Sequence, residues 1–233
     1  MCRGKRLKTE FDLAVASLPI RGRETRFPVG RVFCVGRNYA EHAKEMGADP
    51  SREAPFFFSK PAAAVWRPDG TVPYPPRTQD LHHEAELVVA LHQGGASLTL
   101  AAARACVFAY GVGIDFTRRD LQAEAKKQGR PWDTAKGFDA SGPVSELVAL
   151  EDCGWLEKGA ITLTLNGQAR QQGDLSDMIW KVDEIIAELS TYYTLQPGDI
   201  IFTGTPAGVG AVDRGDAVEA TIEGVGQLAF RMI

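Results

Sequence analysis

The sequence contains few cysteines, and none of them stands in a pattern that would bind zinc or build a disulfide framework. Four cysteines, Cys2, Cys34, Cys106 and Cys153, are spread over 233 residues, and no Cys-x-x-Cys pair occurs. Isolated cysteines are typical of reduced thiols in the cytoplasm, whereas paired spacings mark zinc sites and secreted disulfide-rich domains. We therefore expect a cytoplasmic protein that has no structural zinc and no disulfide bond.

The sequence also lacks long apolar runs and an excess of positive charge. No segment approaches the roughly 20 apolar residues that span a bilayer. The N-terminal stretch MCRGKRLKTEFDLAVASLPI has an apolar part that is too short and too interrupted for a signal peptide. The net charge is −4, which offers no basic surface to nucleic acid or to anionic membranes. We expect neither of these as a partner.

What the sequence does contain is a series of short β-type runs separated by glycine and proline. The strand-like runs are RVFCVG (31–36), PFFFSKP (55–61), VFAYGVGIDF (107–116) and, around an Asn-Gly turn, the hairpin-like ITLTLNGQARQQG (161–173). Helical spacing occurs in SLTLAAARA and in SDMIWKVDEIIAELSTYY. These patterns predict a β-dominated α+β fold with a few short helices. We expect a lead-in segment at 1–26 and a single domain at 27–233.

The stretch DLHHEAELVVAL (80–91) reads as one strand that carries two carboxylates just before its apolar part. Side chains alternate along a strand, so Glu84 and Glu86 share a face, where they repel each other and are costly to desolvate. A solvated edge strand is the more frequent explanation of this spacing. The alternative is a bound cation, since Asp115 ends another predicted strand and can converge on the two glutamates. Three carboxylates suit Mg²⁺, Mn²⁺ or Ca²⁺.

The segment TRRDLQAEAKKQGRP carries the clearest helix signal, because Thr117 and Asp120 have the capping-box spacing. Arg119 and Gln122 share one face of this helix. That face lies near any metal that Asp115 holds. Exposure on the surface is the alternative for both residues, and also for Lys136 further along the chain.

In the predicted helix NYAEHAKEMG, His42 and Glu45 stand three residues apart and therefore share a face. A carboxylate beside an imidazole fixes its tautomer and raises its basicity, as a base that activates water requires. On spacing alone, a solvated surface pair is the better explanation.

The segment TGTPAGVG (203–210) is superficially similar to a phosphate-binding loop. It lacks the Lys-Ser/Thr ending of a P-loop, and no helical pattern follows it. It predicts a tight turn, which is either purely structural or presents its backbone N–H groups to a ligand.

Several of these segments, taken in order, carry a more specific signal than any one of them. CVGRNYAEHAKEMG, FFFSKP, HHEAELVVAL, GVGIDFTRRDLQ, GRPWDTAKGFDASGP, NGQARQQGDLSDMIW and GDIIFTGTPAGVG together resemble the fumarylacetoacetate hydrolase family. Within it they are most similar to the single-domain acylpyruvate hydrolase branch, and LPIRGRETRFPVGR and VPYPPRTQDLHHE resemble its fumarylpyruvate hydrolases. The resemblance covers about residues 27 to 233.

The resemblance implies a mixed β-sandwich roll of the fumarylacetoacetate hydrolase C-terminal-domain type, usually a homodimer, with a Mg²⁺ site. Matched residue by residue, it implies that the metal ligands are Glu84, Glu86 and Asp115. It further implies a catalytic base dyad of His42 and Glu45, with Lys136 as a third catalytic group. The residues that would contact the substrate are Arg119, Gln122, Gly204 and Thr205.

The implied activity is hydrolysis of a carbon–carbon bond in an acylpyruvate, a small 2-oxo acid. Fumarylpyruvate, cleaved to fumarate and pyruvate in the breakdown of aromatic compounds, is the leading substrate. A competing activity at the same site is decarboxylation of oxaloacetate or tautomerisation of a 2-oxo diacid, which needs no activated water. Outside enzymology, the acids could simply stabilise a metal-binding or interaction module, although such a module has no use for a His42–Glu45 pair.

Overall fold

The computed structural model of the protein describes residues 10–40 and 54–233. His42 and Glu45, and with them most of the predicted helix NYAEHAKEMG, lie outside the described residues.

The described part of the chain is built mainly of short strands. These are β1 (Ser17–Pro19), β2 (Arg26–Pro28), β3 (Val32–Gly36), β4 (Phe56–Lys60), β5 (Val65–Trp66), β6 (Thr71–Val72), β7 (Leu81–His83), β8 (Ala85–Leu91), β9 (Val107–Ile114), β10 (Thr117–Arg118), β11 (Gly142–Pro143), β12 (Val148–Ala149), β13 (Ala160–Leu165), β14 (Gln168–Asp174), β15 (Ile200–Phe202), β16 (Gly210–Ala211), β17 (Ala217–Ile222) and β18 (Gly226–Met232). The helices are α1 (Leu100–Cys106), α2 (Arg119–Gln128), α3 (Asp133–Lys136), α4 (Leu150–Cys153) and α5 (Val182–Tyr192), with 3₁₀ turns at Ala62–Ala64 and Leu175–Asp177.

Two mixed sheets dominate the architecture. One has six strands in the order β12-β9-β8-β15-β3-β4, and the other has five in the order β14-β13-β17-β18-β6. Most neighbouring strands are antiparallel, but β15 runs parallel to β3 and β18 runs parallel to β6. A small sheet, β10-β7-β16, and the pairs β1-β2 and β11-β5 complete the strands of the described residues. The expectation of a β-dominated α+β fold with few helices is confirmed.

The main hydrophobic core lies between the two large sheets. Leu87 of β8 and Val112 of β9 belong to the same buried cluster as Leu163 of β13, Val218 of β17 and Phe230 of β18. Burying apolar surface of both sheets against each other is the driving force for this layer.

The opposite face of the six-stranded sheet is covered by the N-terminal hairpin of β1 and β2. Val88 of β8 belongs to a second buried cluster that also contains Leu18 of β1 and Phe27 of β2. The predicted domain boundary between residues 26 and 27 falls inside this hairpin, where Arg26 pairs with Pro19. The division into a lead-in and a domain stays a prediction.

The predicted strand at 80–91 is divided at Glu84. β7 pairs with β10 and β16 in the small sheet, whereas β8 pairs with β9 and β15 in the six-stranded sheet. The chain therefore changes sheets at Glu84, and the expectation of one continuous strand was wrong. Along β8 the alternation of faces holds, because Leu87 and Val89 enter the main core while Val88 enters the second cluster.

The predicted capping box at the start of α2 was also wrong. The helix begins at Arg119, and no side chain caps it. Thr117 lies in β10, and its hydroxyl donates to Glu84 Oε1 at 3.2 Å. The carboxylate of Asp120 accepts instead from the Thr78 hydroxyl at 2.7 Å. Both side chains bind partners that are distant in the sequence, so the local capping motif does not form.

None of the helices in the described ranges is long and apolar enough to span a membrane. Cys34, Cys106 and Cys153 carry free thiols, as the spacing of the cysteines predicts, and Cys2 lies outside the described residues.

Candidate active site

Strand pairing brings the three predicted acids together. Glu86 lies in β8 opposite Gly113 of β9. Glu84 immediately precedes β8, and its carbonyl oxygen accepts a hydrogen bond from the backbone N–H of Asp115 at 2.8 Å. One oxygen from each carboxylate lies within 4.8 Å of the others, and all three side chains are buried. Three converging hard oxygen ligands are the donor set that Mg²⁺, Mn²⁺ and Ca²⁺ prefer.

A buried lysine joins two of these carboxylates. Lys136 is the last residue of α3, and its Nζ donates to Glu84 Oε2 at 2.8 Å and to Asp115 Oδ2 at 2.7 Å. Burial by itself would lower the pKa of Lys136, but the charges of Asp115 and Glu84 outweigh that effect and raise it. The ammonium group is therefore protonated and compensates two of the three acids.

A second buried lysine, Lys60 at the end of β4, was missed by sequence reasoning. Its Nζ lies 2.8 Å from Asp115 Oδ1 and donates to Ser141 Oγ at 3.0 Å and to the carbonyl oxygen of Lys136. Asp115 Oδ1 accepts no hydrogen bond from the described residues, so its contact with Lys60 is an ion pair. The one hint in the sequence was a lysine that ends the apolar run FFFSK before a proline.

Glu86 is the acid with the least compensation. Its Oε2 accepts a hydrogen bond from the backbone N–H of Gly204 at 2.7 Å, and no ion pair reaches it from the described residues. Burial and repulsion from Asp115 and Glu84 hold the pKa of Glu86 well above its usual value. A divalent cation among the three carboxylates would relieve this repulsion, so the donor set and its charge both fit a metal.

Arg119 and Gln122 project from α2 toward the same carboxylates. Arg119 Nη2 donates to Glu84 Oε1 at 2.5 Å, and Nη1 donates to Gln122 Oε1 at 2.7 Å. The bond between the two side chains follows from their i, i+3 spacing on one helix face. Neither residue is on the outer surface, because Gln122 is buried and Arg119 is half-buried.

In the turn after β15, the backbone N–H of Gly204 binds a carboxylate of the proposed metal site. Gly204 has φ +96°, a conformation that favours glycine, and a Cβ there would lie 2.7 Å from the Cβ of Asn38. The Asn38 amide donates to the carbonyl oxygens of Thr203 and Trp180, which fixes the turn. Of the two alternatives for this turn, a structural one and one that presents backbone N–H groups to a ligand, the Gly204 N–H fits the first, because it donates to Glu86.

These side chains line one cavity. Of the predicted site residues, its walls contain Glu84, Glu86, Arg119, Gln122, Lys136, Gly204 and Thr205. The other lining residues are Val35, Gly36, Arg37, Phe56, Phe58, Lys126 and Trp132. Asp115 is buried behind the wall, and His42 and Glu45 lie outside the described residues. A concave site with buried acids, fixed cations and aromatic walls suits a small anionic ligand that chelates a metal.

Comparison with known proteins gives a consistent result over nearly the whole chain. Residues 31–233 match the family described as fumarylacetoacetate (FAA) hydrolase, C-terminal. A fumarylpyruvate hydrolase from Ralstonia sp is 45% identical over 182 residues, which are 78% of this chain and 94% of that protein. The oxaloacetate tautomerase YcgM from Escherichia coli (strain K12) is 42% identical over 202 residues, 85% of this chain and 90% of that one.

Among solved structures, the crystal structure of fumarylpyruvate hydrolase from Pseudomonas aeruginosa in complex with Mn²⁺ and pyruvate is similar throughout. It superposes with a TM-score of 0.94 at 45% identity, and the match covers 97% of this chain and 99% of that chain.

Proposed function

Because the chain belongs to the fumarylacetoacetate hydrolase family, we propose that it hydrolyses a carbon–carbon bond in acylpyruvates with the help of a divalent metal. The substrate that we infer is fumarylpyruvate, which with one water gives fumarate and pyruvate. The observation that carries the proposal is the buried set of Glu84, Glu86 and Asp115 in a cation-lined cavity. It is supported by the 45% identical Pseudomonas enzyme, which was crystallised with Mn²⁺ and pyruvate.

We propose Mg²⁺ or Mn²⁺ as the metal that Glu84, Glu86 and Asp115 would hold. When bound, it supplies a Lewis acid that polarises the oxygens of the 2-oxo acid. The guanidinium group of Arg119, the amide of Gln122 and the ammonium group of Lys136 line the cavity and stabilise negative charge on the oxygens of the substrate and of the tetrahedral intermediate.

The base in this proposal is His42, which Glu45 orients. His42 takes a proton from water as the water oxygen attacks the distal carbonyl carbon, C4 of the acylpyruvate. The bond between C3 and C4 then breaks, and its electron pair leaves with the pyruvate half as an enolate. Protonation of that enolate at carbon gives pyruvate, while the acyl half leaves as a carboxylic acid.

Two further basic groups support a substrate with a second carboxylate. Arg37 and Lys126 line the same cavity, and within the described ranges neither forms an ion pair with an acid. Partial burial lowers the pKa of Lys126, which stays partly exposed, and the charges of Arg119 and Arg37 lower it further. Arg37 has φ +58°, a conformation that few non-glycine residues adopt and that is over-represented at functional sites. A carboxylate at the far end of the substrate would relieve the repulsion among these cations.

We predict that Arg37→Gln and Lys126→Gln each raise the KM for fumarylpyruvate about tenfold or more, because each substitution removes one charge-assisted hydrogen bond to the substrate. Acetylpyruvate lacks the distal carboxylate, so its KM should change little. The matched control is Lys127→Gln, which removes an exposed charge from the next position of α2. Equal losses for both substrates, measured by steady-state kinetics, would contradict a role in recognising the second carboxylate.

A second candidate activity is tautomerisation of oxaloacetate, with decarboxylation as a variant of it at the same site. The observation that favours it is the Escherichia coli oxaloacetate tautomerase, which is 42% identical over 85% of this chain. Purified protein incubated with Mg²⁺ and fumarylpyruvate, acetylpyruvate or oxaloacetate, with the products identified by NMR, distinguishes the activities. Turnover of oxaloacetate alone would replace the proposed hydrolase function.

We predict that chelator-treated protein loses turnover and that Mg²⁺ or Mn²⁺ restores it. Glu86→Gln should weaken binding of the metal, because the substitution removes a charged ligand and keeps the shape of the side chain. Calorimetric titration with Mn²⁺ measures this effect. The matched control is Glu219→Gln, which makes the same change on the exposed face of β17 and should leave Mn²⁺ binding unaltered. Full activity in metal-free protein would contradict the metal site.

We also propose that the protein is a homodimer in the cytoplasm. The family resemblance supports the dimer, and the unpaired spacing of the cysteines supports the compartment. Sedimentation of the purified protein tests the first of these proposals.

A further inference from the structure

Gln171 is buried on a strand whose neighbouring residues are exposed. It lies in β14 and is 1% exposed, whereas Arg170 and Gln172 beside it are exposed. The pairing of β14 with β13 shifts register there, since Leu163 lies opposite Gln171 while Thr164 lies opposite Ala169. The extra residue is a β-bulge, a feature that re-aims side chains. With regular pairing, Gln171 would lie on the outer face of the sheet.

The hydrogen bonds of Gln171 fix the orientation of its amide. Oε1 accepts from the backbone N–H of Ala85 at 3.0 Å, and Nε2 donates to the backbone carbonyl oxygen of Pro206 at 2.9 Å. A backbone N–H can only donate and a carbonyl can only accept, so the oxygen and the nitrogen of the amide cannot be exchanged. His83 Nδ1, which lies 3.0 Å from Gln171 Oε1, must therefore carry a hydrogen and donate it.

The same logic sets the role of Thr205. Gln171 Nε2 donates to Thr205 Oγ1 at 2.8 Å, so the hydroxyl oxygen acts as the acceptor in this bond. The hydroxyl hydrogen must then point elsewhere, and within the described ranges no protein acceptor receives it. Thr205 lines the same cavity as Glu84 and Glu86, so the hydrogen is available to an oxygen of a molecule bound there.

We propose that Gln171 is a positioning residue that turns the Thr205 hydroxyl into a hydrogen-bond donor toward an anionic oxygen of the 2-oxo acid. The inference rests on the proposed function for the identity of the ligand. Because Gln171 also holds the backbone of Ala85, between Glu84 and Glu86, one amide fixes the substrate-facing turn relative to the carboxylates. The carboxylate and keto oxygens of a 2-oxo acid can only accept hydrogen bonds. The Thr205 hydroxyl, whose oxygen already accepts from Gln171, donates its hydrogen, so the two groups are complementary.

A double-mutant cycle tests the proposal. Thr205→Val removes the hydroxyl and keeps the shape of the side chain, and Gln171→Met removes both functions of the amide. Each single variant should lower kcat/KM for fumarylpyruvate about 10- to 100-fold, the loss of one hydrogen bond to a charged group. If Gln171 acts through Thr205, the double variant should be no slower than the slower single variant. Multiplied losses would overturn the proposal.

Gln171→Glu tests the proposal independently if Gln171→Met does not fold, since Gln171→Met leaves the buried N–H of Ala85 without a partner. A glutamate still accepts from Ala85 and His83. Its second oxygen loses the bond to the Pro206 carbonyl oxygen and accepts the Thr205 hydroxyl hydrogen, which draws that hydrogen away from the cavity. Its kcat/KM should therefore fall in the wild-type background and change little in the Thr205→Val background. Wild-type rates for Gln171→Glu would overturn the proposal. Gln172→Met, on the exposed face of the same strand, is the matched control and should retain full activity.

Binding separates this inference from the proposed function. In Mn²⁺-loaded protein, calorimetry with pyruvate should give the same non-additive pattern, with each single variant weakening pyruvate binding and the double variant weakening it no further. Mn²⁺ affinity should stay within about twofold, because none of the substituted side chains is a proposed ligand. If fumarylpyruvate is not cleaved but this pattern holds, the hydrolase function fails and the role of Gln171 stands. Additive losses of pyruvate affinity would overturn that role.

Discussion

Replacement of His42 by alanine is expected to slow fumarylpyruvate cleavage by about 10²- to 10⁴-fold, the usual contribution of a general base. In the proposed mechanism, His42 removes the proton from the attacking water, and no other step of the hydrolysis can begin before that. Mg²⁺ affinity should barely change, because the three proposed ligands are Glu84, Glu86 and Asp115. Steady-state kinetics at saturating Mg²⁺, with a calorimetric Mg²⁺ titration of the same variant, measure both quantities.

The competing chemistry makes this experiment selective. Tautomerisation or decarboxylation of oxaloacetate needs no activated water, so either activity should survive His42→Ala better than cleavage does. Glu45→Gln should give a milder form of the same pattern, since its proposed role is to orient the imidazole. His92→Ala, at an exposed position directly after β8, is the control for loss of a histidine. If oxaloacetate turnover disappears and cleavage remains, the dyad serves the other reaction.

Local sequence signals predicted those parts of the fold that local interactions determine. The Asn-Gly hairpin is an example, because Asn166 and Gly167 have φ +52° and +76°, as a two-residue turn between twisted strands requires. Helix α5 is another, since the apolar spacing of Val182, Ile185 and Leu189 places all three in the main core. Its start was harder to predict, and Ile179, which fits the same spacing, precedes the helix.

The convergence of the acids could be anticipated because it needs only two adjacent strands. The role of Lys60 could not be anticipated, since it depends on contacts with Ser141 and Asp115, which are far away in the sequence. Gln171 was equally hidden, because the alternation of a regular strand places it on the outer face, and only the bulge turns it inward. The predicted helix cap at Thr117 was wrong for a related reason, because the Thr117 hydroxyl donates to the nearby carboxylate of Glu84 instead.

Replacement of Lys136 by methionine is expected to affect stability, metal affinity and turnover in different directions. In metal-free protein the variant should lose about 3–5 kcal/mol of unfolding free energy, the usual cost of removing one partner from a buried ion pair. Lys136 is 3% exposed and donates to both Glu84 and Asp115, so its loss leaves two buried carboxylates without their shared cation. Urea unfolding with a chelator present measures this effect.

A divalent cation held by those carboxylates would replace the missing charge, so saturating Mg²⁺ should restore most of the stability that Lys136→Met loses. A ligand that stabilises the variant more than the wild type must bind the variant more tightly, so Mg²⁺ affinity should rise. Turnover should nevertheless fall by about 10²- to 10³-fold, as it does when a donor to a developing negative charge is removed. Lys127→Met, an exposed lysine of α2, changes the net charge equally and should alter none of the three quantities. Weaker Mg²⁺ binding by Lys136→Met would contradict this prediction. It would mean that the ammonium group positions the carboxylates for the metal and does not merely compensate their charge when the metal is absent.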